Sequence, residues 1–140
     1  MLTLPISLIV AHFVGDFLLQ SDWMAGNKSK NNLALASHCF VYSVIVGATI
    51  ATVFPGMLSF SPAWIAIVFI PHFITDAITS RITSRLWFIE LEKMVVVFEN
   101  EPKRTHYASI KPTRHWFFVM IGLDQVIHYV TLAYTLRLLA

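Results

Sequence analysis

Four histidines and three aspartates of this chain lie inside apolar runs, where each is costly to hold. AHFVGDFLLQ places His12 four residues before Asp16, with Gln20 four further on; PHFITD repeats the interval with His72 and Asp76; DQVIH reverses it with Asp124 and His128. Another apolar run carries His38, with Tyr42 one turn later. Four residues is slightly more than a helical turn, so each pair sets an imidazole and a carboxylate on one helical stripe, about 6 Å apart in rise. Imidazole nitrogen and carboxylate oxygen are good ligands for Zn²⁺, Mn²⁺ or Fe²⁺.

A charged carboxylate at the centre of a membrane helix costs about 2.5–3.5 kcal/mol. No Lys or Arg is expected at this depth to pair with them, so compensation has to come from protonation or from a cation. Four imidazoles beside three carboxylates favour the cation. The expected ligands are His12, Asp16, His38, His72, Asp76, Asp124 and His128. With neutral histidines they carry −3, which two divalent ions and a bridging hydroxide neutralise. Two ions roughly 3.5–4 Å apart are therefore preferred; one ion with outer Asp–His pairs is the alternative. A metal-free proton relay or polar packing cluster is the rival for the whole set, and for His38 alone an interhelical hydrogen bond serves equally well. Cys39 should face about 100° away from His38 and is left out. Gln20 and Gln125 are expected to orient or pack, and His106 and His115 to be surface residues.

The elements that must position these groups follow from composition. Of 140 residues, 56 % are hydrophobic and only 13 % charged; mean hydropathy is +0.67. A soluble domain has about 25 % charged residues. We expect one all-α integral membrane domain over 1–140, a bundle of four spans at about 4–20, 35–54, 63–80 and 114–136. Residues 82–98 are too charged to span and read as an amphipathic helix between spans three and four, lying at the interface with Trp87 and Phe88 as anchors or packed on the bundle. SDWMAGNKSKNN reads as a loop, and a chain break is expected near Pro102. The net charge of +2 and the lack of a basic, aromatic-interleaved stripe argue against nucleic acid. One cysteine excludes an internal disulfide. Nine of the ten basic residues fall on the side of the first loop and residues 81–114. The positive-inside rule makes that side cytoplasmic and puts both termini outside. In antiparallel spans all seven ligands then fall in one layer, roughly 5–20 Å below that side. Lys28, Lys30, Arg81 and Arg85 ring its mouth, serving topology and, in part, an anionic headgroup.

AHFVGDFLLQSDWMA, His38 with Tyr42, PHFITD and DQVIH together resemble a family of small bacterial and phage membrane proteins, the domain-of-unknown-function family numbered 3307. The resemblance covers most of the chain outside about 85–110 and implies a bacterial inner-membrane location, without supplying a reaction. More loosely, the pattern is similar to predicted inner-membrane metal-dependent hydrolases. The preferred function is an intramembrane metal-dependent hydrolase whose ions, Zn²⁺ first, activate water against a lipid-like phosphate or ester, with Asp16, Asp76 and Asp124 as catalytic residues. No G-x-S-x-G occurs, which argues against serine chemistry. A metal or proton transporter is a second reading; four short spans would need a homo-oligomer to form its pathway. A binding or regulatory protein with a structural metal is a third.

Overall fold

A computed structural model describes residues 4–55, 62–100 and 114–139, and in them every regular element is helical. The first is α1, Ile6–Phe13, which follows Pro5 and runs on into a π-helical turn, Val14–Leu18. There the Leu19 N–H reaches back five residues to the Val14 carbonyl at 3.0 Å. Such single-turn π-bulges are rare and gather at functional sites. The stretch expected to be a loop instead folds into α2, Asp22–Asn27, because the Ser21 hydroxyl accepts the Met24 N–H at 3.3 Å and caps its start. Asn31 caps α3, Asn32–Val53, accepting the Leu33 N–H at 2.8 Å.

α4 runs from Pro62 to Asn100 as one helix of 39 residues. The expected end of span three near Ser80 and the separate helix over 82–98 are therefore corrected. Hydropathy falls there, but no Gly or Pro occurs between His72 and Asn100 to interrupt the backbone bonding. Residues 82–98 are helical as expected, but as the continuation of span three's helix, and the expected break at Pro102 lies outside the described residues, as does His106. Trp87 packs on Phe117 with ring centroids 5.0 Å apart, and the Arg114 guanidinium stacks 3.7 Å over it. This half of α4 accordingly packs on α5, His115–Leu139.

Among the described residues, two helices are long and apolar enough to cross a membrane, Asn32–Val53 and His115–Leu138. The buried face of α3 repeats at three and four residues: Ala34, Leu35, His38, Cys39, Tyr42, Ser43, Val46, Gly47 and Ile50. Its far half joins Leu8, Ala11, Val68, Leu132 and Leu136 in an apolar core. The sequence order on each helix then sends the polar half of every buried stripe to the other end. Leu8 leads to Asp16 and Val68 to Asp76, while Ile50 follows His38 and Leu136 follows Asp124. Two buried hydroxyls are satisfied on their own helices: Ser43 donates to the Cys39 carbonyl at 2.7 Å and Thr79 to that of Thr75 at 3.0 Å.

Candidate metal centre

His12, His38, His72 and His128 are buried, with Asp16 and Asp76 among them and Asp124 at the border. His38 Nε2 lies 3.1 Å from Asp16 Oδ1, 3.2 Å from Asp76 Oδ2 and 3.3 Å from His72 Nε2; His72 Nε2 lies 3.8 Å from Asp16 Oδ1. One ring proton cannot serve three partners. Ligand atoms held about 2.0–2.1 Å from a tetrahedral ion sit about 3.3–3.4 Å from one another, and these spacings bracket that value. Asp16, His38, His72 and Asp76 thus form one group with ligand atoms close enough to share an ion; Asp76, Asp124 and His128 form a second.

Proton counting explains the second group. His128 Nδ1 lies 2.8 Å from the Asp124 backbone carbonyl, which accepts only, so Nδ1 carries a hydrogen; in the neutral ring Nε2 is then left with a lone pair. That lone pair faces Asp76 Oδ1 at 3.2 Å and has no hydrogen-bond donor. Two electron-rich atoms at this distance repel unless a cation or a proton lies between them. The carbonyl also orients the ring, as an outer partner of a metal-bound histidine does. The Nδ1 atoms of His38 and His72 have no hydrogen-bond partner. Packing orients His72 instead: it lies flat on Tyr42, centroids 3.6 Å apart and planes at 5°.

The same counting sets His12 beside the groups. Gln125 Nε2 donates to Asp16 Oδ2 at 3.2 Å and to Asp124 Oδ2 at 3.1 Å, so its amide oxygen must face His12 Nε2, 2.9 Å away. His12 Nε2 therefore carries the hydrogen, and Nδ1 accepts from the Tyr42 hydroxyl at 3.2 Å. With both nitrogens engaged, and Nε2 3.9 Å from Asp16 Oδ2, His12 orients Gln125 and Tyr42 and belongs to neither ligand group. Through the π turn, Asp16 reaches His38 across the bundle rather than pairing with His12. Gly15, in that turn, makes room for Tyr42: a Cβ on it would come within 3.2 Å of Tyr42 Cα and Cδ2.

One expectation fails outright. A basic residue does reach the cluster: Lys28 Nζ bonds Asp76 Oδ2 at 2.9 Å. It arrives from the segment after α2, so no spacing within the spans could reveal it. Burial opposes its charge, but Asp76 and Asp16 opposite outweigh that and hold the ammonium above its ordinary range. With its amide oriented to satisfy both neighbours, Gln20 donates to the Asp16 carbonyl at 3.1 Å and accepts from Lys28 at 3.3 Å. Gln125, expected to pack or orient, is the hub joining His12, Asp16 and Asp124. Cys39 is buried and stands in neither group, and His115 is exposed.

A pocket of about 640 Å³ opens from the cluster, with Asp16, Asp124 and Gln125 on its inner wall. A family model described as "Protein of unknown function (DUF3307)" matches residues 4–139. No curated protein and no solved structure matches the chain.

Proposed function

The chain belongs to the DUF3307 family, whose name assigns no reaction; from that membership and this geometry we propose a four-span membrane hydrolase, dependent on divalent metal, for a lipid-like phosphate or ester. The four spans are α1 with its π turn, α3, the first half of α4, and α5. Their outward ridges support this. Ile6, Val10, Phe13, Phe40, Ile70, Ile74, Ile78, Phe118, Val126 and Leu138 are exposed, while His12, His38, His72, Asp76 and His128 are buried. That inverts the pattern a protein in water adopts and suits hydrocarbon. By the positive-inside rule, the site lies at the cytoplasmic headgroup level of the inner membrane.

The observation that carries the metal reading is the bare His128 Nε2 facing Asp76 at 3.2 Å. The two groups also differ in openness. Asp16, His38, His72 and Asp76 supply four buried ligands, enough to close a tetrahedral ion; Asp76, Asp124 and His128 supply three, of which Asp124 is half-buried and lines the pocket. Four protein ligands mark a structural position, three with a vacant fourth a catalytic one. Zn²⁺ suits both donor sets, and Mn²⁺ or Fe²⁺ are alternatives. When bound, such ions lower the pKa of water and polarise a phosphoryl or acyl oxygen. The chain's own residues do the rest. Asp76 offers one oxygen to each group, Gln125 fixes Asp16 and Asp124, and Asp124 Oδ1, without a hydrogen-bond donor, is placed to take a proton from the attacking water. A transport pathway is disfavoured because Leu8, Val46, Ile50, Val68, Leu132 and Leu136 fill the bundle beyond the site.

The test is elemental analysis of purified protein beside hydrolysis of a lipid phosphate and a lipid ester. Wild type should carry one or two ions and turn over at least one substrate. Asp124→Asn should keep the closed ion and lose turnover at least 100-fold, the scale of general-base catalysis. Metal-free wild type that stays folded would overturn the reading.

A further inference from the structure

Beyond the cluster, the pocket has two unlike walls. One is basic, with Lys28 and Lys30 from the turn after α2; the other is aromatic, with Trp87 and Phe88 of α4 and Phe117 of α5. Lys30 Nζ sits 5.6 Å from the Phe88 ring centroid and, among the described residues, has no carboxylate partner. Ser80 lines the same pocket, and its buried hydroxyl has no hydrogen-bond partner. Two ammonium groups and a free hydroxyl thus line the pocket, Lys28 already bonded to Asp76, with Asp16 and Asp124 at its inner end.

We propose that this pocket binds the phosphate headgroup of an amphiphile, with Lys28, Lys30 and Ser80 on its oxygens and the first part of the apolar chain against Trp87, Phe88 and Phe117. Phosphate fits because it presents several acceptor oxygens to several donors at once, and charge-assisted bonds to ammonium are the strong ones. The cavity is far larger than a lone phosphate and falls in the range that holds ligands of some twenty heavy atoms or more, about 300–1,000 Å³. The aromatic wall gives the remainder an apolar surface. The inference rests on the hydrolase reading only for what is done to the phosphate; headgroup binding stands by itself.

The full chain in a neutral detergent is titrated with dodecyl phosphate, dodecyltrimethylammonium and inorganic phosphate, by calorimetry, with metal content measured on the same samples. Dodecyl phosphate should bind at least tenfold tighter than either comparator. Lys30→Met should weaken it roughly tenfold, the worth of one charge-assisted bond, and Lys30→Arg should restore it. Ser80→Ala should weaken it less. Because Lys28 also holds Asp76, the lysine test rests on Lys30, whose exposed side chain leaves the fold intact. Equal binding by Lys30→Met, or by the cationic amphiphile, overturns the proposal; free phosphate binding as tightly as dodecyl phosphate overturns the amphiphile assignment. Lysine-dependent binding in a protein that carries no metal leaves this proposal standing and removes the hydrolase; metal and turnover without lysine dependence do the reverse.

Discussion

Asp76 is asked to do three things: one oxygen faces His38 and Lys28, the other faces His128. Its replacement therefore separates ligands from the residues that orient them. Asp76→Asn should bring bound metal to background, since it removes a donor from both groups. His12→Ala should lower metal affinity by roughly 10–100-fold, as loss of an outer partner does, because it acts through Gln125 and Tyr42. Chelator competition distinguishes the two. Sequence spacing pointed to residues that the fold brings close together, since the interval of four that sets His72 and Asp76 on one stripe also brings them into one group. It could not find that His12 is excluded, because that follows from which atom of Gln125 faces it. Nor could it find Lys28, which comes from a segment with no periodicity to read.

At the level of helices, the π turn and Tyr42 are fitted to each other through Gly15. Gly15→Ala forces a contact of 3.2 Å against backbone and ring and should cost about 1–3 kcal/mol, the usual penalty for overpacking. Gly122 of α5, where a Cβ would meet nothing within 4 Å, gives the opposite sign: Gly122→Ala should stabilise by roughly 0.5–1 kcal/mol through the helix interior alone. Thermal melts in detergent compare the pair. The extent of α4 is a further case. Hydropathy marks where an apolar run ends, whereas helix ends are set by caps and breakers, so the apolar limit near Ser80 was legible and the helix end was not. Ile82→Pro tests continuity, with an expected loss of about 3 kcal/mol or more that a linker at that position would not incur.

Taken whole, the bundle exposes large apolar side chains on every described helix and turns His12, His38, His72, Asp76 and His128 inward, with an apolar core beyond them. Alkaline carbonate washing should leave the chain in the membrane pellet, and reporter fusions should place both termini outside and residues 28–30 inside. Cys39 is fully buried, so maleimide should label it only after denaturation in dodecyl sulfate. The four-segment hydropathy pattern pointed to a membrane protein, and two of the described helices, α3 and α5, are long and apolar enough to cross; the pocket was not readable, because its walls come from the π turn, α2 and the turn after it, α4 and α5 together. α4 carries both Asp76 and Trp87, eleven residues apart on one unbroken helix, or about 16 Å along its axis. A rod with reacting groups at one mark and an aromatic stop at another is a gauge. It would sort molecules by the span between their scissile bond and their first bulky group, and lengthening it by one turn should recalibrate that choice without touching a single ligand.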